Sequence, residues 1–400
     1  MNKPRIIILM HYLELGGAEM ALIGLLHALD PEKVDVDLFI YSHQGPLMKH
    51  IPKWVNLLPE VPAYAVIERP IKEALRRGHI GVVAGRMLAK YKCRNYRRRT
   101  PANGDDVAIM QYVGDCVTPW LPCINPGVEY DLCISFLTPH NIGLDKVLAR
   151  KRLAWIHTDY STVSVNAERE LPVWRAYDVI ASISSDVTNA YLKIFPSLSS
   201  KVIELENILP LEYVRLRSQE SSDQTNLLGS PTIVSVGRLV YQKNFDNVPD
   251  ITKMLVNHGL KSVKWYIIGF GGDEALIRSK IREAGMEEHV ILLGKKENPY
   301  PYIKACDIYV QPSRYEGKSV TVREAQMLCR PIVVTAYPTA ASQIRNGVDG
   351  IIVPLDNAGA AKGLAEFIAN TALQTQIKNY LQTHDYANLG EVEKIYSLLK

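Results

Sequence analysis

The chain has no cysteine pair at CxxC spacing, no glycine fingerprint of the GxGxxG type, no low-complexity tract and no long apolar run. Each absence excludes something. Its six cysteines (Cys93, Cys116, Cys123, Cys133, Cys306 and Cys329) also lack Cys/His ligand spacing, which argues against a disulfide framework or a zinc site and for reduced thiols. No segment approaches the ~18 consecutive apolar residues of a membrane-spanning helix. The opening "MNKPRIIILM" meets His11 and Glu14 too soon to serve as a signal-peptide core. A cytoplasmic location is expected. Without GxGxxG and its downstream acid, a nicotinamide dehydrogenase is disfavoured. The net charge of +4 is too small, taken by itself, to indicate a nucleic-acid partner.

What remains is a globular chain of 400 residues, 47% hydrophobic and 22% charged, enough for two domains. An apolar run at 5–10 is followed by a Gly16-Gly17 loop, a helical pattern over 18–29 and a second apolar run at 34–42. That is strand–helix–strand grammar and predicts a parallel sheet. Further strands are expected at 130–137, 151–157 and 178–184. The polar segment 215–231 reads as a linker. The alternation then restarts, with strands expected at 232–237, 263–269, 290–294, 307–313, 331–336 and 350–354. Helices are expected near 246–258, 273–285 and 299–305. Two doubly wound α/β domains follow, 1–215 and 216–380, with a C-terminal helix over 381–400 returning to the first. Such sheets bind ligands beyond the carboxyl ends of their strands, so a cleft between the domains is the expected site.

The stretch "RYEGKSVTVREAQM" (314–327) carries Glu316 and Glu324 with seven residues between them. It reads as a loop leaving a strand, then a helix capped near Ser319. Free N–H groups at such a helix start suit a phosphate, and Gly317 lets the backbone approach it. The two acids can then hold opposite ends of one elongated ligand. A carboxylate accepting from hydroxyls contributes roughly 1.5–3 kcal/mol per bond. Upstream, "VSVGRLVYQKN" (234–244) ends a strand at Gly237 and places Arg238 and Lys243 in the following loop. Cations there can neutralise a diphosphate, whose charge grows as it leaves. Gly269 opens a glycine-bearing turn after another strand, and Lys295 lies in a loop whose backbone could meet a nucleobase.

Taken in order, these pieces resemble the retaining glycosyltransferases of the two-Rossmann-domain type (GT-B), family four in particular, and so bacterial capsular and exopolysaccharide enzymes. The resemblance spans most of 232–354. It is carried by Gly237-Arg238 with Lys243-Asn244, the "PSRYEG" loop, the E-x7-E pair, "EAQMLCRPIVVT" and "NGVDGIIVP". It implies that Glu316 contacts the donor sugar, Glu324 the ribose, and Arg238 and Lys243 the leaving diphosphate. Gly317, Lys318, Ser319 and Val320 would line the phosphates. It implies a nucleoside-diphosphate-sugar substrate, UDP-sugar before GDP-mannose, with no cofactor and no metal. The N-terminal half matches less. There Gly16 and Gly17 would make room for donor and acceptor, and His157, at a strand end, would face the donor sugar. Lys318 and Ser319 depart from an aromatic or aliphatic pair common in the family.

Between Arg69 and Arg99 stand eleven Lys/Arg and a single acid, Glu73, with apolar residues interleaved. Such a segment suits an anionic membrane surface more than a solvated face or nucleic acid. The expectation is a peripheral enzyme on the inner face of the plasma membrane, acting on a glycan or lipid-linked acceptor. A nucleotide-sugar epimerase and a non-catalytic nucleotide-sugar-binding protein are the competing readings.

Overall fold

The computed structural model describes residues 3–67, 69–102, 105–220 and 227–399. It divides into two compact units, one made of residues up to Ile208 and from Leu389 onward, the other of Leu209–Asn388.

Among the described residues, fifteen strands occur in chain order: β1 (Arg5–Met10), β2 (Asp35–Ile40), β3 (Asn56–Leu57), β4 (Asp105–Asp106), β5 (Tyr130–Ser135), β6 (Ala149–Ile156), β7 (Val163–Ser164), β8 (Val179–Ser182), β9 (Val202–Glu204), β10 (Thr232–Val236), β11 (Lys264–Ile268), β12 (Val290–Gly294), β13 (Ile308–Gln311), β14 (Ile332–Thr335) and β15 (Ile351–Val353). The first unit's sheet runs β3-β2-β1-β5-β6-β8-β9 and the second's β12-β11-β10-β13-β14-β15, while β4 and β7 form a separate small ladder. Every pairing in both sheets is parallel. Central strands covered on both faces need continuous apolar sequence, and β1 (RIIILM) and β10 (TIVSV) supply it. Trp265, Ile233, Phe245 and Leu255 are among the core residues of the second unit, and Ile7, Phe39, Tyr64 and Tyr130 among those of the first.

The expected strands all form, generally a residue or two shorter. The short β3, β4, β7 and β9 carry too little pattern to predict. The unit boundary falls after Ile208 rather than after 215, because the helix Leu211–Arg217 belongs with the second unit. Asn298 Nδ2 donates to Arg217 O at 2.8 Å, and the Tyr213 and Tyr300 rings meet edge to face at 6.2 Å. The predicted linker therefore begins as helix, and its residues 221–226 lie outside the described residues. The expected single helix over 381–400 is instead the end of Thr371–Gln382 and a separate helix, Val392–Leu398. The latter packs in the first unit, where Asp30 N donates to Tyr396 OH at 2.7 Å and Lys151 Nζ to Leu398 O at 2.7 Å.

Candidate active site

In the second unit, the loops leaving β10, β11 and β13 meet. Gly237 N donates to Ile268 O and Gly269 N to Gly294 O, both at 3.0 Å, tying three strand ends together. A Cβ on Gly269 would stand 1.8 Å from Gly237 O, so this close approach requires glycine. Asn244 holds φ +59, tolerable for asparagine, and its Nδ2 donates to Pro312 O at 2.9 Å. Arg314 grips Asp246 with both guanidinium nitrogens, at 2.9 and 2.7 Å, and its guanidinium lies 4.0 Å over the Tyr241 ring. The loop after β10 and the loop after β13 are thereby locked to one another.

Between them lies Glu316, only 5% exposed. Its Oε1 accepts from Lys243 Nζ at 2.5 Å and from Ser313 Oγ at 2.6 Å, and more weakly from Gln311 Nε2 at 3.4 Å. Gln242 Nε2 donates to Oε2 at 3.3 Å. Gln311 is in turn oriented by the Tyr309 hydroxyl at 2.7 Å and the Thr321 hydroxyl at 3.1 Å. A buried carboxylate costs several kcal/mol in desolvation, offset only by such pairing. Arg238, in the same loop as Lys243, is exposed and has no ion-pair partner among the described residues.

Glu324 sits in the helix Val320–Met327, 3% exposed, and accepts from the Tyr300 hydroxyl at 2.9 Å. Burial pushes its carboxyl up to about 7, the Tyr300 hydrogen bond acting the other way. Ser319 occupies the N-cap position, but its side chain makes no capping bond and instead meets Thr321 Oγ1 at 3.1 Å. Its backbone N–H is already committed to Gln343 Oε1 at 2.9 Å. The helix starts after Ser319 as expected, and Gln343 rather than the Ser319 side chain ties down this turn. Gly317 and Lys318 are half-buried beside it, and Val320 opens the helix. Lys295 lies 4.8 Å over the Phe270 ring in the loops after β12 and β11.

The other predicted residues are in the first unit. Gly16 is the N-cap of the helix Gly17–Ala28 in extended backbone, and Gly17 is its first residue. His157, just past β6, is half-buried as a residue, yet both ring nitrogens are sealed from solvent without a hydrogen-bond partner. Its ring lies 4.5 Å from Phe136 and 5.6 Å from Trp155, and burial pushes it down to about 3, so it is neutral. Asp159 is used locally, accepting from Ser161 N at 2.9 Å and Ser161 Oγ at 2.7 Å. Sequence reasoning missed His140, which is also buried and pushed down to about 3 by desolvation, with His11 and His157 adding to the effect. It missed Tyr300, Gln311 and the Arg314–Asp246 clasp as well. Among the described residues, no three His, Cys, Asp or Glu gather so as to hold a metal ion.

A buried acid is clasped by a lysine, an arginine without an ion-pair partner among the described residues lies in the same loop, and a second buried acid lies under a tyrosine. Residues 217–384 match the family described as glycosyl transferases group 1. The match covers less than half of the chain.

Similarity among curated proteins agrees. The amylovoran biosynthesis glycosyltransferase AmsD of Erwinia amylovora is 29% identical over 151 residues, 38% of this chain and 41% of that protein. A Campylobacter jejuni N-acetylgalactosamine-N,N'-diacetylbacillosaminyl-diphospho-undecaprenol 4-alpha-N-acetylgalactosaminyltransferase is 28% identical over 190 residues, 47% of this chain and 50% of that one. The matches thus span about half or less of these relatives. Solved structures match along the whole chain. Anabaena Alr3699/HepE in complex with UDP has a TM-score of 0.63 at 14% identity, covering 98% of both chains. Staphylococcus aureus TarM, crystallised with Fondaparinux, alpha-GlcNAc-glycerol and UDP, has a TM-score of 0.68 at 12% identity, covering 99% of this chain and 100% of its own. The span that matches this family thus lies within a two-domain α/β fold shared with these solved structures.

Proposed function

We propose that the protein is a retaining, metal-independent glycosyltransferase that moves a hexosyl or N-acetylhexosaminyl group from a nucleoside diphosphate, UDP in the first instance, to a lipid-linked or polysaccharide acceptor in cell-surface glycan synthesis. The observation that carries this reading is the Glu316–Lys243 pair beside the free Arg238. In the reaction the bond from the anomeric carbon to the diphosphate oxygen breaks. An acceptor hydroxyl oxygen bonds to that carbon on the same face, and its proton leaves with the diphosphate. Glu316 accepts from donor-sugar hydroxyls, and Arg238 and Lys243 meet the negative charge developing on the leaving group, where such stabilisation amounts to a few kcal/mol. Lys243 must divide its charge between Glu316 and the phosphate, while Arg238 is uncommitted. Glu324 receives the ribose hydroxyls. The UDP bound to two structurally similar proteins supports the base, and the undecaprenol substrate named for the Campylobacter relative supports the acceptor class. An acceptor of that kind would be met at the inner face of the plasma membrane, through residues 69–99.

Thermal unfolding against UDP, GDP, ADP and NAD tests the donor. One diphosphate should stabilise the wild type selectively, and Glu324→Ala should abolish the shift. Glu316→Ala should keep the shift and lose turnover with the matching nucleotide-sugar. No shift with any nucleotide would sink the reading.

A further inference from the structure

The basic stretch of the first unit is built, not merely composed. Its core is one helix, Ile80–Arg99. One face is pinned: Val82, Val83, Ala89 and Cys93 are buried, and a Cβ on Gly85 would stand 2.4 Å from Cys116 O. The opposite face carries Ile80, Ala84, Met87, Leu88 and Tyr91, at the i, i+4, i+7, i+8, i+11 spacing of a single helical stripe, and all are exposed. Tyr91 is 65% exposed and Met87 60%. Trp120, itself 60% exposed, lays its indole against Gly81, where a Cβ would come within 2.5 Å of it. Large apolar side chains in a continuous exposed ridge mark an interaction surface.

Cations flank that ridge. Arg69 and Arg77 are spent on Glu73, and Arg97 on Asp106. Lys72, Lys90, Lys92, Arg94, Arg98 and Arg99 make no ion pair with any described residue. On one side of the ridge the helix borders a groove of about 340 Å³ lined by Lys92, Asn95, Tyr96, Arg99, Tyr112 and Arg169. Arg169 lies 4.6 Å over the Tyr112 ring and is paired with Asp115, so Lys92 and Arg99 are the groove's uncommitted charges.

We propose that this helix seats the first unit on an anionic bilayer, with the Ile80–Tyr91 stripe and Trp120 entering the head-group layer and the Lys92/Arg99 groove holding a phosphate-bearing lipid head group. Charge complementarity selects the occupant. An acidic protein would satisfy the cations without needing a projecting apolar ridge, and nucleic acid would satisfy them without needing Ile80 or Met87. A tryptophan at the rim of an apolar ridge matches the bilayer interface. This deepens the membrane part of the proposed function and stands apart from its chemistry.

Flotation of the full chain with phosphatidylcholine vesicles, with and without phosphatidylglycerol, tests it. The wild type should float only with the anionic vesicles. Lys92→Glu/Arg99→Glu should bind them about thirtyfold more weakly, from ~1 kcal/mol per cation lost. Met87→Ser/Tyr91→Ser should lose binding to a similar degree. Tyr91→Trp, a milder change, should add a component to the wild-type emission that shifts to the blue on anionic vesicles. Equal binding to neutral vesicles, no blue shift in the emission added by Tyr91→Trp, or full binding by the Met87→Ser/Tyr91→Ser variant would overturn the proposal. So would retention of single-stranded RNA in place of vesicles. The nucleotide-dependent thermal shift is read in parallel, and its absence in the wild type would count against the transferase reading alone.

Discussion

The two units share one architecture and treat the carboxyl edges of their sheets in opposite ways. In the second, the edge holds a buried carboxylate with its lysine already in place, a network of amides and hydroxyls around it, and a free arginine beside it. In the first, the edge gathers imidazoles and aromatic rings, with Arg69 in the same pocket as His11 and Tyr41. His140 and His157 are desolvated imidazoles, and His11 lies 5.0 Å from the Tyr41 ring, itself 5.5 Å from Tyr64. The difference shows what each edge can meet. A charge kept inside a protein must be paired before any ligand arrives, and the pairing then offers groups for a charged ligand to compete for. A neutral ring needs no counterion, and it offers an aromatic face to a ligand whose polarity is in hydroxyls.

The contrast breaks most readily at Lys243. Lys243→Ala leaves Glu316 buried without its cation and should cost ~3–5 kcal/mol of stability, read by denaturant unfolding. A cost below about 1 kcal/mol would mean that the carboxylate is solvated and the contrast false. Tyr300→Phe removes the donor from Glu324 and should cost ~1–3 kcal/mol, while weakening nucleotide binding through a still more raised Glu324 carboxyl. The pH dependence is next. Glu324 keeps its proton up to about 7 in the folded chain against 4.5 as the ordinary value, so its contribution makes stability fall as pH rises between those values. Glu170 in the first unit, pushed up by burial to about 7, adds a slope of the same sign, which Glu324→Gln and Glu170→Gln should remove separately. If Glu324 receives the ribose hydroxyls as proposed, they need its ionised carboxylate, so nucleotide affinity should weaken by up to about tenfold per pH unit below 7, by calorimetry, and Glu324→Gln should flatten the profile. The smallest effect is expected at His157. His157→Phe replaces two unpartnered nitrogens and should change stability by less than about 1 kcal/mol in either direction. A large loss would show that the ring's polarity is satisfied in the folded state.

Much of this was legible in the chain. The apolar runs at β1, β5, β10 and β13 announced parallel sheets because strands buried on both faces cannot alternate. Glu316, Lys243 and Arg238 could be singled out because acids and cations placed next to strand ends are rarely left there without use. Tyr300 and Gln311 were not legible. A tyrosine early in a short helix and a glutamine inside an apolar strand look like packing residues until the fold brings an acid to them. The boundary near 215 was misplaced for a related reason, since contacts such as those of Arg217 with Asn298 and Tyr213 with Tyr300, made across the fold, tie Leu211–Arg217 to the second unit.

The sequence by itself determined the alternation of strand and helix, the restart that makes two sheets, the order of charged residues in the loops and the charge of the 69–99 segment. These are properties of neighbours along the chain. Tertiary structure alone decided that Lys243 reaches Glu316 across 73 positions, that Glu324 lies under Tyr300, and that His157 is neutral. Pairing and desolvation depend on which distant groups share a volume from which water is excluded, and no local pattern specifies that volume. The same holds for the helix Ile80–Arg99. Its cations can be counted in the sequence, but only the packed face opposite shows that its apolar stripe is turned outward.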